Sequence, residues 1–460
     1  MEATELFMAN QKRYFIQTLA FKNYRCFPEL LVHFDEQLTV FVAPNGGGKT
    51  AVLDGIAIGL RPFVDTMEGS QNVKGLEAKD IRMIPSLNNR MEAVTPVQLV
   101  AQGVFFGTPL AWERERLSQK AVGKKNRTTQ DLVQFALDLI EKNQAWVQRK
   151  SSVAPLYPLI AYYGTGRIWS SSNSKQTPII APNARDRGYS DCLSAVAPYK
   201  TFIDWFRRFS YEAKKEPTEA TSPHQPEHPL HVVRAAVDRA LTPSGWHHLE
   251  WDFVEDTIVA HHPTYGRLPV DTLSDGIRTM IGLVADIAYR ATLLNPQLYA
   301  RAAIETPGIV LIDEIDRHLH PEWQQVVLSL LQQAFPLIQF MVTTHSPQVL
   351  TTLRKDQIRI LACDTAGQWT AHEPTISPLA HESGDALAFI MHTHPRPDIP
   401  NILSDMHAYE QLARAGHGDS VEAQHIKTRL DRVGFAFSAA DQALFDFFAR
   451  KAANRKANNK

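Results

Sequence analysis

The residues with the clearest chemistry in this sequence are three consecutive glycines followed by a lysine and a threonine. They belong to the run Asn45-Gly46-Gly47-Gly48-Lys49-Thr50-Ala51, which lies between an apolar stretch, Leu38 to Val42, and a helical pattern of apolar residues. Glycines let a backbone wrap closely around phosphate groups, and the amides at a helix N-terminus direct partial positive charge at an anion. The order of strand, glycine loop and helix therefore predicts a phosphate-binding loop.

Two side chains of this loop have defined roles in nucleotide sites. The Lys49 ammonium has the reach to contact the β- and γ-phosphates, and the Thr50 hydroxyl is a ligand for Mg²⁺. The loop departs from the usual pattern G-x-x-x-x-G-K-[ST] in one place, because Ala43 stands where a glycine is usual. An ordinary glycine-rich turn is the alternative explanation for this stretch taken alone.

Paired acids in the second half of the chain supply the carboxylates that such a site needs. Asp313 and Glu314 directly follow the apolar run Ile309 to Ile312, which is typical of a buried parallel strand. An open α/β sheet presents its ligand site at the carboxyl ends of its strands. We therefore expect both carboxylates at the nucleotide site, with a simple strand-end turn as the alternative.

Two further motifs flank these acids in the sequence. Leu273-Ser274-Asp275-Gly276 precedes a long apolar helix that extends to Leu294, and Thr343-Thr344-His345 follows a strand predicted over 335–342. Each motif is a weak signal alone. Their joint occurrence, in this order and after a phosphate loop, is a strong one.

Composition limits the class of protein. The chain has 460 residues and a formal net charge of -1, so it can bury a sizeable core and carries no global basic field. Its three cysteines lie far apart, without metal-ligand spacing, which fits a reducing cytoplasm. The N-terminus lacks a signal-peptide pattern, and no run approaches the roughly 18 apolar residues of a membrane span. We expect a soluble, cytoplasmic protein without a membrane partner.

The elements that must position these motifs predict an α/β fold. We expect strands over 15–21, 30–34, 38–42 and 156–163, a hairpin over 249–263, and two short strands over 97–106 with a bend at Gly103. Helices are expected over 131–147 and 199–211. Tyr24 and Arg25 follow the first strand, where contact with a nucleotide and an exposed sheet edge explain them equally well.

Four regions follow from this order of elements. Residues 1–110 form an N-terminal lobe, 111–265 an inserted and largely helical region with a flexible loop at 214–229, 266–375 a C-terminal lobe, and 376–460 a helical segment. We predict that the last segment docks a partner; the alternative is that its helices cap the core. Its apolar positions at helical spacing are Leu412, Leu430, Val433, Phe435, Phe437, Leu444, Phe447 and Phe448.

The four motifs together resemble the ABC-type ATPase domains of the structural-maintenance, RecF and OLD-like AAA families. The resemblance implies a P-loop head with a mixed sheet flanked by helices, which binds and hydrolyses ATP with Mg²⁺. It implies that Thr50 and Asp313 hold the Mg²⁺, that Glu314 polarises the attacking water and that His345 senses the γ-phosphate.

The same resemblance implies a shared active site. In these families Ser274 and Gly276 meet the γ-phosphate bound by the opposite subunit, which gives a head-to-tail dimer and leaves room for higher oligomers. Asp275 departs from the small residue that is usual between them. Asp316 matches the loop that joins the two sites, and Gln98 and Gln102 are weak candidates for the glutamine loop.

A narrower resemblance links the chain to the compact ATPases of bacterial defence operons. The stretches that carry it are Asn295-Pro296, 306–316 with His318-Leu319-His320-Pro321, 339–347, Tyr162-Tyr163-Gly164-Thr165-Gly166-Arg167 and 189–205. They are similar to the PtuA family of Septu anti-phage systems, which also occurs with retrons. This similarity implies a separate HNH nuclease of the PtuB type as partner, with a retron reverse transcriptase and its RNA and DNA as further candidates.

Two other functions compete with this interpretation. An OLD-type nuclease ATPase would need a Toprim domain, but about a hundred residues follow His345, too few for that domain and the closing ATPase elements. Asp364 also stands alone, without the Asp-x-Asp pattern. A DNA-binding repair ATPase of the RecF or SMC type is the second alternative. We favour an ATPase without nuclease activity of its own.

Overall fold

The computed structural model describes residues 13–70, 75–86, 90–120, 129–165, 185–194, 199–215, 229–393, 399 and 401–458. The chain divides into two compact units, Met1–His392 and Thr393–Lys460. The described strands are β1 (Tyr14–Tyr24), β2 (Phe27–His33), β3 (Leu38–Val42), β4 (Arg82–Pro85), β5 (Met91–Val94), β6 (Val97–Phe105), β7 (Thr108–Arg116), β8 (Leu159–Tyr163), β9 (His247–Asp252), β10 (Thr257–His262), β11 (Gly266–Pro269), β12 (Gly308–Ile312), β13 (Ile338–Thr343), β14 (Ile358–Cys363) and β15 (Trp369–His372).

Helices separate most of these strands. The described α-helices are α1 (Lys49–Met67), α2 (Gln130–Val147), α3 (Tyr199–Lys215), α4 (Pro229–Leu241), α5 (Asp275–Leu294), α6 (Ala302–Glu305), α7 (Pro321–Gln324), α8 (Val327–Ala334), α9 (Pro347–Leu350), α10 (Ser383–Phe389), α11 (Ile402–Arg414), α12 (Val421–Arg432) and α13 (Ala439–Asn458). None of them is long and apolar enough to cross a membrane.

The sheet that carries the site has the strand order β15-β14-β3-β13-β12-β8. Strands β14, β3, β13, β12 and β8 run parallel, and β15 pairs antiparallel with β14. Every residue of β3, β8, β12 and β13 is buried, as expected for apolar strands of a sheet with helices on its faces. The predicted α/β fold with a mixed sheet flanked by helices is confirmed.

Strand register brings the ends of the central strands to one edge of this sheet. Ile312 pairs with both Val342 and Tyr163, and Thr343 pairs with Phe41. The loops that follow β3, β12, β13 and β8 therefore start side by side. This is the edge where an open parallel sheet places its ligand site.

A second, antiparallel sheet has the order β2-β1-β6-β7. The prediction of two short strands over 97–106 is wrong, because β6 is continuous through Gly103. Gly103 accommodates a close approach of β1: a Cβ at this position would lie 2.6 Å from the Phe15 carbonyl oxygen. The register with β1 shifts between Ile16 and Thr18, so the glycine marks an irregularity in pairing and not the end of a strand.

The region predicted as an insertion contributes to both the core and a separate sheet. Its strand β8 is an edge strand of the central sheet, and the predicted hairpin is present as β9 and β10, to which β11 adds a third strand. Residues 216–228 of the predicted flexible loop lie outside the described residues. The four-region division of the chain stays a prediction.

The C-terminal unit consists, in its described part, of the helices α11, α12 and α13. Its buried residues, among those described, are Met406, Ala413, Ala423, Ile426 and Leu430. Aromatic contacts add to this interior, since the ring of Phe437 lies 5.0 Å from that of Tyr409 and 5.1 Å from that of Phe445. The segment is therefore a small helical assembly with an apolar interior of its own.

One buried amide joins the two large sheets. The Gln339 side chain on β13 accepts a hydrogen bond from the Ile16 backbone N–H at 2.9 Å and donates to the Ile16 carbonyl at 2.8 Å. It also donates to the Asp35 carbonyl at 2.7 Å, and it is 1% exposed. Two backbone groups of β1 and one of the loop after β2 thus depend on one side chain of the central sheet.

We expect Gln339→Met, which keeps the side-chain volume, to lower the free energy of unfolding by about 2–4 kcal/mol, because it leaves these buried backbone groups unpaired. Urea unfolding followed by circular dichroism measures the effect. Gln333→Met, at an exposed position of the neighbouring helix, is the control. Equal unfolding midpoints for the two variants would contradict the bridging role of Gln339.

Candidate functional site

The loop between β3 and α1 has the backbone form of a phosphate cradle. Gly46 and Gly48 have positive φ angles of 75° and 80°, and the Gly47 N–H donates to the Pro44 carbonyl at 3.0 Å. Gly48 is the N-cap of α1, and a Cβ there would lie 2.5 Å from the Phe27 ring. Side chains at these positions would strain or obstruct the loop, so the sequence needs glycine here.

Ala43, the departure from the usual loop pattern, is compatible with this geometry. Its methyl group is buried, and it would lie 2.6 Å from a Cβ placed on Gly47. The space that a side chain at Gly47 would need is therefore filled by the methyl group of Ala43. Alanine at position 43 therefore fits beside glycine at position 47.

The Lys49 side chain contacts the backbone of this phosphate loop. Its ammonium donates to the carbonyls of Ala43 at 2.8 Å and Pro44 at 3.2 Å. Burial lowers the pKa of Lys49, and the nearby carboxylates of Asp313 and Glu314 oppose this shift. Both hydrogen-bond acceptors are neutral oxygens, and a phosphate oxygen is a stronger partner for an ammonium group.

Asp313 is the meeting point of three chain segments. The Thr50 hydroxyl on α1 donates to Asp313 Oδ2 at 2.8 Å, and the Thr343 hydroxyl at the end of β13 donates to Oδ1 at 2.5 Å. The carboxylate is 3% exposed. Hydroxyl and carboxylate oxygens are hard ligands of the kind that Mg²⁺ prefers, so the donor set of Thr50 and Asp313 fits this ion.

Glu314 follows Asp313 in a strained backbone conformation. Its φ angle is 50°, which is uncommon for a residue with a side chain, and its N–H donates to the Thr343 hydroxyl at 2.7 Å. The carboxylate is half-buried and lies 3.2 Å from Arg317 Nη1. Strained residues of this kind cluster at functional sites, where the surrounding hydrogen bonds hold them in place.

The loop that carries His345 is tied to the loop after β12. The Thr344 hydroxyl donates to Asp316 Oδ1 at 2.6 Å, and the His345 backbone N–H donates to the same oxygen at 3.3 Å. Asp316 therefore fixes, within its own chain, the segment that presents the half-buried His345. Its predicted role in joining two sites across a dimer stays a prediction.

Ser274 and Gly276 lie at the start of α5. Ser274 is exposed at the N-cap, and Asp275 forms an ion pair with Arg278 one turn further along the helix. A Cβ on Gly276 would lie 2.7 Å from the His318 carbonyl oxygen. Glycine at this position thus lets the loop after β12 pack against the start of α5 in the same chain.

Some of the sequence-based candidates lie elsewhere. Tyr24 is fully buried, so both explanations offered for it, nucleotide contact and an exposed edge, are wrong. Arg25 pairs with Asp54 at 2.5 Å and Asp80 at 2.9 Å, and Asp54 also accepts a hydrogen bond from the Tyr162 hydroxyl at 2.8 Å. Arg25 is thus bound to the helix that starts at the phosphate loop.

The weak candidates for the glutamine loop lie within a strand. Gln98 and Gln102 belong to β6, where Gln98 donates to Glu115 at 3.0 Å and Gln102 accepts from Thr18 at 3.4 Å. Gly166 and Arg167, part of the motif after β8, lie outside the described residues.

Thr343 is a residue of the candidate site that the sequence analysis did not predict. The only signal in the sequence was a pair of threonines at the end of a buried strand, directly before His345. The two threonine hydroxyls have different partners. That of Thr343 donates to Asp313 and accepts from the Glu314 backbone N–H, whereas that of Thr344 donates to Asp316.

Comparison with known protein families agrees with this geometry. A model described as "AAA domain, putative AbiEii toxin, Type IV TA system" matches residues 163–351, and a model described as "AAA domain" matches residues 18–221. The two matches together include the phosphate loop, the paired carboxylates and the Thr-Thr-His motif. The chain is therefore a nucleotide-binding ATPase with similarity to AAA domains.

Individual proteins that are similar to the chain include retron and Septu proteins. The chain is 25% identical to the retron Vc95 probable ATPase of Vibrio cholerae serotype O1 biovar El Tor over 485 residues, which cover 93% of this chain and 90% of the relative. It is 41% identical to the Septu protein PtuA of Bacillus mycoides (strain KBAB4) over 98 residues, 21% of this chain and 13% of that protein. The predicted similarity to PtuA is thereby confirmed over about a fifth of the chain.

A crystal structure described as the SMC head bound to the C-winged helix domain of ScpA is also similar. It is 16% identical, with a TM-score of 0.41, and the match covers 78% of this chain and 98% of that chain.

We expect Thr343→Val, which replaces the hydroxyl by a methyl group, to reduce kcat for ATP hydrolysis by about 10- to 100-fold and to raise the Mg²⁺ concentration needed for half-maximal activity. The reason is that Asp313 loses the donor that orients it and the Glu314 N–H loses its acceptor. Steady-state phosphate release over a Mg²⁺ series measures both effects.

Thr352→Val is the matched control, because its hydroxyl bonds only the Val349 carbonyl of its own turn among the described contacts. Thermal melting verifies that both variants fold. A folded Thr343→Val protein with the kcat and Mg²⁺ dependence of the control would refute the positioning role.

Proposed function

We propose that this ATPase is the nucleotide-driven subunit of a bacterial anti-phage defence complex and controls a separate HNH nuclease of the PtuB type. The observation that carries the proposal is the similarity to a retron ATPase along 93% of the chain, together with the PtuA match. A retron reverse transcriptase with its RNA and DNA is a further candidate member of the complex. A cytoplasmic location belongs to the same proposal.

The proposed chemistry is the transfer of the γ-phosphoryl group of ATP to water, which yields ADP and phosphate. The amides of Asn45 to Ala51 and the Lys49 ammonium bind the phosphate oxygens, and Thr50 and Asp313 would hold Mg²⁺. The ion, when bound, neutralises charge on the β- and γ-oxygens. Lys49 exchanges its bonds to the loop carbonyls for bonds to phosphate oxygens, which are the stronger acceptors.

Glu314 is the proposed positioning group for the attacking water. Phosphoryl transfer requires mainly positioning and charge neutralisation, so a carboxylate that accepts a hydrogen bond from the water suffices. Glu314 is more exposed than Asp313, and its backbone is held by Thr343, which suits a group that must meet an incoming water. His345, on the loop tied to Asp316, is the proposed sensor of the γ-phosphate.

We place Ser274 and Gly276 at the nucleotide of a second subunit. Ser274 is exposed, and its hydroxyl does not cap α5, so that the hydroxyl and the helix N-terminus are accessible from outside the chain. The ion pair between Asp275 and Arg278 neutralises the acidic side chain between them, which would otherwise oppose a phosphate. Head-to-tail pairing of two chains then gives two composite sites.

The proposed dock for the nuclease is a smaller part of the C-terminal unit than the sequence indicated. Leu430 is buried inside the unit, and Phe437 packs against Tyr409, so these positions are committed to its interior. Leu444 and Phe447, three residues apart on α13, are 38% and 57% exposed and share a helix face. They form the apolar patch that we assign to the HNH partner.

Co-expression with an HNH nuclease tests this function. We expect wild-type protein to co-purify with the nuclease, and the double variant Leu444→Asp and Phe447→Asp to bind it at least about tenfold more weakly, because charges replace the apolar anchors. ATPase activity of the variant should stay within about twofold of wild type, since no residue assigned to the nucleotide site belongs to the C-terminal unit. The isolated chain should cut neither DNA nor RNA.

Val421→Asp is the matched control, because Val421 is 78% exposed in the same unit but lies on α12. If the double variant still bound the nuclease as tightly as wild type, the assignment of Leu444 and Phe447 as the docking patch would be wrong. Cleavage by the isolated chain would favour an OLD-type nuclease, and salt-sensitive binding to gapped DNA without any nuclease partner would favour a repair ATPase.

A further inference from the structure

The three-stranded sheet β11-β10-β9 carries a polar cluster that nucleotide chemistry does not use. One face of its β9–β10 hairpin is apolar: Leu249, Trp251, Ile258 and Ala260 are buried, and β9 packs against α4. The opposite face carries His248, Glu250 and His261. Alternation along β9 puts His248 and Glu250 on the same face, and His261 joins them from β10.

The ligand atoms of these three side chains converge. His261 Nε2 lies 3.0 Å from Glu250 Oε1, and His248 Nε2 lies 3.8 Å from Glu250 Oε2. All three ligand atoms lie within 4.8 Å of one another. A tetrahedral zinc ion bound at about 2.0–2.1 Å requires ligand atoms about 3.3 Å apart, so small side-chain adjustments bring this set to coordination distance.

Two backbone features produce this convergence. The register between β9 and β10 shifts between Val259 and His261, so that His261 pairs with His247 instead of His248. His248 itself has a φ angle of 52°, and its N–H donates to Asp238 Oδ1 of α4 at 2.7 Å. An irregular register and a sparsely populated backbone conformation are thus both present where the imidazoles approach one carboxylate.

An ion-pair network is the competing explanation for part of the cluster. Arg267 Nε lies 2.7 Å from Glu250 Oε1, and Arg267 Nη1 lies 2.6 Å from Asp252 Oδ2. The network accounts for Glu250 and His261, but His248 is beyond hydrogen-bond distance from Glu250. Asp252 also gives Arg267 a second carboxylate, so Glu250 can exchange the guanidinium for a metal ion.

We propose that His248, Glu250 and His261 bind one Zn²⁺ ion, with water in the fourth position. Two imidazoles and a carboxylate form an intermediate donor set that suits zinc, whereas Mg²⁺ prefers oxygen ligands alone. The ion crosslinks β9 to β10. Strand β11, which pairs with β10, ends at Pro269, and five residues later Ser274 begins the segment that we assign to the partner's nucleotide. Zinc thus restrains the sheet from which that segment emerges.

Metal titration of the full chain tests the site. Untagged protein is treated with a chelator, freed of nucleotide and Mg²⁺, and titrated with Co²⁺ followed by displacement with Zn²⁺. We expect one equivalent of Co²⁺ with the visible absorption of a tetrahedral N,O site, and complete displacement by one equivalent of Zn²⁺. His261→Ala and His248→Ala should weaken Zn²⁺ binding by at least about 100-fold, since loss of a ligand costs more than loss of an outer-sphere partner.

His247→Ala is the matched control, because His247 is the adjacent exposed residue of β9 and its ring bonds the Gly245 carbonyl. Glu250→Gln, which keeps the shape of the side chain, is a second test that avoids a change in packing. The site would be overturned if wild-type protein bound no stoichiometric Co²⁺, or if the His248, Glu250 and His261 variants bound Zn²⁺ as tightly as His247→Ala.

Discussion

The site depends on one physical requirement, which is that the buried charge of the Asp313 carboxylate must be satisfied by hydrogen bonds. Burying a charged carboxylate is costly unless hydrogen bonds replace its hydration, and Asp313 meets this requirement with hydroxyls from Thr50 and Thr343. These donors come from α1 and from the end of β13, while Asp313 itself directly follows β12. The strand order β3-β13-β12 is what brings the three segments together. The same arrangement therefore satisfies a buried charge and assembles the proposed Mg²⁺ ligands.

The loop after β12 extends this arrangement toward the rest of the protein. Glu314 is held by the Thr343 hydroxyl, Asp316 binds the loop of His345, and the His318 carbonyl packs against Gly276. Three residues of one loop thus contact the end of β13, the histidine loop and the start of α5. The loop is therefore linked to the start of α5 by a direct contact within the same chain.

The sequence predicted those features of the fold that depend on local pattern. Apolar runs identified β3, β8, β12 and β13, because strands buried on both faces need continuous hydrophobic residues. Gly46, Gly48 and Lys49 predicted the phosphate loop, although an ordinary glycine-rich turn explained this stretch equally when it was taken alone. The nucleotide-binding class followed from the joint occurrence and order of this loop, the Leu-Ser-Asp-Gly motif, the paired acids and the Thr-Thr-His motif.

Features that depend on contacts between distant segments were not predictable from the sequence. The Thr343 hydroxyl gained its role from a carboxylate 30 residues away, and Gln339 bridges to Ile16 across 323 residues. Tyr24 looked accessible because the residues around it are polar, yet it is buried against Phe21 at a ring distance of 5.4 Å. The prediction of a bend at Gly103 was wrong for the same reason. The close approach of the partner strand β1, and not the local sequence, requires that glycine.

The most direct test of the central claim is nucleotide retention by Glu314→Gln. The substitution keeps the shape of the side chain and removes the charge that orients water, so hydrolysis should fall by about 100-fold or more while ATP stays bound. Light scattering of this variant with ATP and Mg²⁺ should give the mass of a dimer, and adding Ser274→Arg should return it to a monomer, with Lys49→Ala as the control that cannot bind nucleotide. A Glu314→Gln protein that loses ATP binding, or that binds ATP and stays monomeric, would contradict the account.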